Sequence, residues 1–162
     1  MIWGDRLDGV PVSQGDVFDE CPLFVWSDDE RSHEPVERSV RVIVLTQACD
    51  LAQIKAARVL VAVIHDSDKL VERGVLKASQ VRDQIRTHRV YGWYFLPAGS
   101  GVPESLVDLR DLHTVPRGLL EELIASGQRV ARLLTPYREH LAQHFATTYA
   151  RIALPKPYET QP

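Results

Sequence analysis

The chain has 162 residues, with 19 Lys or Arg against 22 Asp or Glu, so its formal net charge is −3. It is 44% hydrophobic and 25% charged, which is ordinary for a soluble globular protein, and its length predicts a single domain over residues 1–162. No apolar run is long enough to span a bilayer, and the first ten residues lack the features of a signal peptide. Two cysteines, Cys21 and Cys49, are too few for a disulfide framework. We therefore expect a cytoplasmic protein with no membrane association.

The charge is distributed unevenly along the chain. Residues 1–37 contain ten acidic residues and two arginines, a formal charge of −8, which leaves +5 for residues 38–162. Arg outnumbers Lys by 15 to 4. Because guanidinium groups suit planar recognition of phosphate or carboxylate, this excess is compatible with an anionic partner. Codon usage in a GC-rich genome explains it equally well, so both interpretations stay open.

Short runs of β-branched and aromatic residues predict the strands. A loop rich in charge and turn formers is predicted over residues 27–37, and residues 40–45 and 59–64 are typical of buried central strands. The predicted strands, in chain order, are residues 23–26, 40–45, 59–64, 90–96, 106–109 and 112–115.

Three segments have helical spacing. Residues 76–88 predict a surface helix, and residues 116–124 a short helix that stops near Gly127. In the last predicted helix, Thr135 would be the N-cap and Pro136 the first helical residue, followed by an apolar stripe that ends before Pro155. The order of elements predicts an α+β fold, a small curved and mainly antiparallel sheet or SH3-like barrel packed by a C-terminal helix.

The loop after the predicted strand 40–45 is the first candidate site. It contains Gln47, Cys49 and Asp50, and loops at strand ends commonly present reactive groups. A nucleophilic thiol needs a nearby histidine or cation, whereas Asp50 alone would oppose thiolate formation. Cys49 is therefore a candidate nucleophile, a member of a binding network, or a small buried hydrophobe beside a turn-capping Asp50.

The second candidate site is the start of the last helix, with Tyr137, Arg138, Glu139 and His140. Arg138 falls close to the apolar stripe and in the first helical turn, where the helix dipole disfavours a cation. Such an arginine needs a partner, most simply Asp50 or Asp16, or an anion bound at the helix start. His140 and His144 have i, i+4 spacing, but no third ligand is evident, so no metal site is predicted.

The third candidate is the turn formed by Gln14, Gly15 and Asp16. Gly15 permits a tight turn, and Asp16 can bond to neighbouring backbone groups. Gln14 and Asp16 are accordingly either candidate binding residues or residues whose role is to form the turn. The histidines at positions 33, 65, 88 and 113 have no ligand spacing, and the chain has none of the common nucleotide, redox or serine-hydrolase motifs, so no cofactor is expected.

Three segments resemble a widespread group of uncharacterised bacterial proteins. They are the Gln14–Asp16 turn, the strand and loop over residues 42–51, and the C-terminal segment over residues 133–141. The resemblance spans most of the chain and implies a bacterial protein, but it implies no activity.

A looser similarity is to the SH3-like barrels of the MazF/PemK toxin group, in the order of the Gly–Asp turn and the strand over residues 42–47. This resemblance implies a nucleic-acid-binding barrel or an endoribonuclease. The opening turn here lacks a basic residue, and the acidic first 37 residues would repel RNA.

Two functional hypotheses follow from the sequence. The first is a binding or regulatory module, a homo-oligomer or a subunit of a larger assembly, in which Cys49, Asp50, Arg138 and His140 form one polar cluster. The alternative is a nucleic-acid-directed enzyme with His140 as the base and Arg138 on phosphate. Whether the protein is an enzyme is left open by the sequence.

Overall fold

A computed structural model describes residues 1–27, 31–53 and 57–150. Its strands are β1 (Trp3–Gly4), β2 (Asp16–Trp26), β3 (Pro35–Val44), β4 (Arg58–Asp66), β5 (Trp93–Leu96), β6 (Ser105–Pro116) and β7 (Arg129–Leu133). Its α-helices are α1 (Ala48–Ala52), α2 (Ser67–Glu72), α3 (Ala78–Gln80), α4 (Arg117–Ala125) and α5 (Tyr137–Tyr149), and α3 continues as a π-helical turn (Val81–Ile85).

All seven strands belong to one antiparallel sheet with the order β1-β7-β2-β3-β4-β6-β5. β1 and β5 are its two edges, so these strands form a curved, unclosed sheet and not the closed barrel that was the other predicted form. The α+β class and the curved, mainly antiparallel sheet packed by a C-terminal helix are confirmed.

The central strands are buried on both faces. On one face, Ile43 and Ala62 pack with Leu141 of α5. On the other, Val42 and Val61 pack in a cluster that includes Leu120 and Leu123 of α4. Covering both faces explains why β3 and β4 contain near-continuous apolar runs, since residues 42–44 and 61–64 are all buried.

Several predicted boundaries were wrong. β2 begins at Asp16 instead of residue 23, and the loop predicted over residues 27–37 ends where β3 begins at Pro35. The two strands predicted between residues 106 and 115 are one strand, β6, with an irregularity in its pairing to β4. The apolar alternation changes phase between Leu109 and Leu112, where the pairing to β4 is irregular, and this change explains the predicted division.

The predicted helices also differ in detail. The helix predicted over residues 76–88 contains only α3 and the π-helical turn, which buries Val81 and Ile85. The last helix begins at Tyr137, with Pro136 as its N-cap residue after a cis Thr135–Pro136 bond. Ile152 and Pro155, at the predicted end of that helix, lie outside the described residues.

The distal halves of β2 and β3 extend beyond the rest of the sheet. β2 pairs with β7 only over Asp16–Phe18, and β3 pairs with β4 only over Arg41–Val44. From Cys21 to Trp26, β2 pairs with β3 alone. We call residues 21–26 and 35–40 the ribbon.

None of the helices in the described part of the chain is long and apolar enough to cross a membrane.

Candidate functional site

Asp16 is fully buried and forms an ionic network with two arginines of β7. Its carboxylate accepts hydrogen bonds from Arg129 Nη1 (3.3 Å), Arg132 Nη2 (2.9 Å) and the backbone N–H of Ser13 (2.9 Å), and Arg132 Nε also donates to it. Arg132 lies directly across from Asp16 in the pairing of β2 with β7, which brings the two side chains together. Asp16 thus joins the start of β2 to β7.

The rest of the Gln14–Asp16 turn also joins strands. The Gln14 side chain donates to the Leu45 carbonyl (3.3 Å), and the Gly15 N–H donates to the Val44 carbonyl (2.9 Å). Gly15 has a φ of +84°, and a Cβ there would lie 2.9 Å from the Leu133 carbonyl oxygen. Only glycine fits this crossing without strain. The contacts of Gln14 and Asp16 are therefore internal ones.

The loop after β3 forms a small exposed polar group. Cys49 is exposed in α1, with its Sγ 3.6 Å from Gln47 Oε1 and 3.9 Å from Asp50 Oδ1. The structure gives Cys49 no hydrogen bond or ion pair to a histidine or cation among the described residues. The side-chain contacts that the structure gives this thiol are with an amide oxygen and a carboxylate oxygen.

At the start of α5, Arg138 pairs with its neighbour. Its Nη2 donates to Glu139 Oε1 (2.7 Å) and to Thr135 Oγ1 (3.3 Å), and the guanidinium holds the pKa of the Glu139 carboxyl below its usual value. The Arg138 stem lies against Gly15. The structure gives Arg138 no ion pair with either predicted partner. Asp16 pairs with Arg129 and Arg132, and Asp50 contacts Cys49.

His140 points into a different environment from Arg138, as a 200° separation around the helix requires. Its Nδ1 lies 3.0 Å from the hydroxyl of buried Tyr94, whose hydroxyl is also 3.4 Å from the Tyr137 carbonyl. The ring of His88 lies 4.8 Å from that of His140 and 5.8 Å from that of His144. We call His88, Tyr94, His140 and His144 the histidine cluster.

His88 is the strained member of this cluster. Its φ is +55°, and its buried Nδ1 has no hydrogen-bond partner among the described residues. Burial, reinforced by His140 and His144, lowers the pKa of His88 to about 4, and burial also lowers the pKa of His144, which bonds to the Trp93 carbonyl. Both shifts favour the neutral form of the His88 and His144 rings.

No three His, Cys, Asp or Glu side chains in the described ranges are arranged to hold a metal ion. The predicted site residues outside the Gln14–Asp16 turn divide into three places. Gln47, Cys49 and Asp50 lie together, Arg138 and Glu139 lie at the start of α5, and His140 lies in the histidine cluster beside Tyr137 and Tyr94. No hydrogen bond or ion pair between described residues joins these three places.

The ribbon exposes two large aromatic side chains on one face. Phe24 and Trp26 are each 70% exposed, whereas the alternate residues Leu23 and Val25 face the opposite side, where Leu23 belongs to the core that contains α4 and Val25 packs against it. Trp26 lies opposite Pro35, and Phe24 lies opposite Glu37. We call Pro22, Phe24, Trp26, Pro35, Glu37 and Ser39 the aromatic face.

A polar groove of about 460 Å³ adjoins the aromatic face at Ser39. In it, Arg41 donates two hydrogen bonds to Asp19 and lies 3.6 Å from Asp66, which also pairs with Lys69. Ser39 Oγ donates to Glu20 Oε2 (2.6 Å). The charged groups of the groove are mostly paired with one another. The exposed apolar surface of this region lies on the ribbon.

Sequence reasoning assigned residues 23–26 to a strand but missed the aromatic face. The alternation of the strand contained the signal, because burying Leu23 and Val25 directs Phe24 and Trp26 to the other side. The contacts of His88 were also missed, and no spacing in the sequence indicates them.

The chain matches no protein-family model, and a search of curated proteins finds no significant match.

Proposed function

We propose that the protein is a binding module that docks a protein partner on the aromatic face of the ribbon. The observation that supports this proposal is the pair of aromatic side chains, Phe24 and Trp26, each 70% exposed on one side of a regular two-stranded ribbon. A soluble domain has no folding reason to hold two large aromatic groups in water, and such residues commonly form the energetic centre of protein interfaces.

The packing of the ribbon supports the same function. Its opposite face is anchored by Cys21 and Leu23 in the core that includes α4, so the aromatic side chains are presented on a held surface. When a partner binds here, the ribbon loses little conformational freedom, so the entropic cost of association is small.

A photo-crosslinking experiment tests the proposal. A photoreactive phenylalanine analogue is introduced at position 24, and in a control at Val75, which is 52% exposed in the turn after α2. We expect one crosslinked protein species from position 24 in the native cells, lost when Trp26→Ser is added, and no such species from position 75. Equal crosslinking from both positions, or persistence with Trp26→Ser, would refute the proposal.

A nucleic-acid-directed enzyme is the second candidate, favoured by one observation at His140. If Nδ1 of this exposed residue donates to the Tyr94 hydroxyl, Nε2 is left as the nitrogen that can accept a proton. Arg138 would have to leave Glu139 to bind phosphate. His140→Ala should abolish RNA cleavage without unfolding the protein. Cleavage unchanged by His140→Ala, or absent in the wild type, rejects this candidate.

We also propose that the protein functions in the bacterial cytoplasm. The sequence resemblance supports a bacterial source, and both cysteines are free thiols, as is usual in a reducing compartment.

A further inference from the structure

Among the described residues, two arginines stack on aromatic rings, and each is also bound by a carboxylate. The guanidinium carbon of Arg110 lies 4.6 Å from the ring centroid of Trp93, and Arg110 donates to both carboxylate oxygens of Asp108 (2.9 and 3.1 Å). The second stack places Arg86 4.9 Å from the Phe95 ring and 3.0 Å from Glu104. The carboxylate holds the cation, and the ring provides the surface beneath it.

The first stack has a defined strand geometry. Trp93 of β5 lies directly opposite Asp108 of β6, so ring and carboxylate emerge on the same side of the sheet. Arg110 is two residues from Asp108 on the same strand and therefore on the same face. This position lets its side chain reach back over the Trp93 ring.

The ribbon repeats the aromatic ring and the opposite carboxylate of this arrangement, but it has no arginine two positions from the carboxylate. Phe24 lies directly opposite Glu37, as Trp93 lies opposite Asp108. The residues two positions from Glu37 on β3 are Pro35 and Ser39, neither of which carries a charge. The structure gives Glu37 no ion pair with any described residue. The Phe24 ring and the Glu37 carboxylate are both exposed, and the structure gives neither of them a stack or an ion pair with a described arginine. Arg58 lines the same pocket but donates its hydrogen bonds to Thr114.

We infer that the partner docked on the aromatic face supplies this arginine, which stacks on Phe24 or Trp26 and pairs with Glu37. This inference rests on the proposed function and names the chemistry of the partner: an exposed protein segment with an arginine among apolar residues. Arginine is favoured over lysine because its planar guanidinium can stack on a ring while it donates two parallel hydrogen bonds to one carboxylate.

The charge of the region agrees with a cationic ligand. Glu20 adjoins the same face through its hydrogen bond to Ser39, and the groove beyond it already pairs its own cations with Asp19 and Asp66. A guanidinium entering at the ribbon thus meets Glu37 and Glu20, for which the structure gives no ion pair with a described residue, and it need not break an ion pair of the groove.

Selection of peptides on the intact protein tests the inference. A phage library of random heptapeptides is selected on the wild type and depleted on the Phe24→Ser/Trp26→Ser variant. Binding of each recovered peptide is followed by the emission of Trp26, which is distinguishable because Trp3 and Trp93 are 4% and 6% exposed. Trp26→Phe serves as the spectroscopic control.

We expect the recovered peptides to share an arginine. Replacing it by citrulline, which keeps the shape and removes the charge, should weaken binding about tenfold, as loss of a stack and an exposed ion pair implies. Glu37→Gln should weaken it several-fold and raised salt should act in the same direction. Glu122→Gln, an exposed acid on α4, should have no effect.

The outcomes separate the inference from the function on which it rests. Peptides that need Phe24 and Trp26 but tolerate citrulline and Glu37→Gln would refute the arginine and leave the docking function intact. If no peptide depends on the two aromatic residues, both fail. A wild-type dimer in sedimentation velocity that Phe24→Ser dissociates would make a second copy the occupant and overturn the inference of a separate partner.

Discussion

Replacing Asp16 by Asn should destabilise the protein strongly, although the two side chains have nearly the same shape. Asp16 is fully buried, and the side chains of Arg129 and Arg132 are 5% and 13% exposed. The substitution removes the only negative charge of this network and places an amide N–H₂ or a neutral oxygen against guanidinium donors. Both arginines then keep their positive charge in a site with little water.

The structure sets the size of the expected effect. Removing one partner of a buried ion pair costs about 3–5 kcal/mol. Here Arg129 and Arg132 retain backbone acceptors, namely the carbonyls of Leu7 and Pro11. We therefore expect the lower end, about 3 kcal/mol, which for a chain of this size corresponds to a fall in Tm of about 6–12 °C.

Urea denaturation followed by far-UV circular dichroism measures this loss. The control is Asp5→Asn, an exposed acid for which the structure gives no ion pair with a described residue; its free energy of unfolding should change by less than about 0.5 kcal/mol. Adding Arg132→Met to Asp16→Asn should recover part of the loss, because it removes one unpaired cation. A loss below about 1 kcal/mol for Asp16→Asn would refute the reasoning.

Three further predictions concern other parts of the fold. Gly15→Ala should destabilise the protein by about 2 kcal/mol, because Gly15 has a left-handed backbone and lies close to the Leu133 carbonyl. The control Gly118→Ala, in α4 with open space around it, should not destabilise the protein. Equal effects of the two substitutions on the free energy of unfolding would contradict this. The free energy of unfolding should fall as the pH drops from about 6.5 toward 4, because His88 and His144 have lowered pKa values in the folded protein and take up protons only after unfolding. After allowance for solvent screening, His88 contributes about 1–2 kcal/mol of this fall. His88→Asn should therefore flatten the dependence of unfolding free energy on pH, and an unchanged slope would argue against this reasoning. One thiol should react with Ellman's reagent in the native protein and two thiols in urea. The reason is that Cys49 is exposed, whereas Cys21 is buried and burial raises its pKa to about 11. Two fast-reacting thiols in the native state would contradict this and show that the core around Cys21 opens readily.

The sheet was predictable because its strands satisfy local rules. β4 contains a continuous β-branched run, which is sufficient to indicate a strand buried on both faces. β7 was missed because its residues, Arg129–Leu133, contain two arginines without a period-two alternation and pair with strands more than a hundred positions earlier. Their strand character depends on those distant neighbours and not on local propensity.

The candidate site was less predictable for the same reason. Asp16 was predicted as a possible partner of Arg138 in α5, whereas the structure pairs it with Arg129 and Arg132 of β7. The helical geometry of Arg138 shows where its side chain points and not which strand lies there. Cross-strand register decides such pairs, and register is a property of the assembled sheet. The contacts of His88 depend on a left-handed residue after a π-helical turn, which no periodicity encodes.

β7 is among the last strands to leave the ribosome, yet it lies inside the sheet between β1 and β2. Asp16 meets Arg129 and Arg132 across 113 and 116 positions of sequence, so its carboxylate remains in water until most of the chain is synthesised. Meanwhile β2, β3 and β4 can pair as a meander, leaving the edge of β2 at residues 16–18 open. An open edge on a nascent chain can pair with other chains. Closing this edge before Arg129 and Arg132 are present would bury the Asp16 carboxylate without its counter-ions, which is costly.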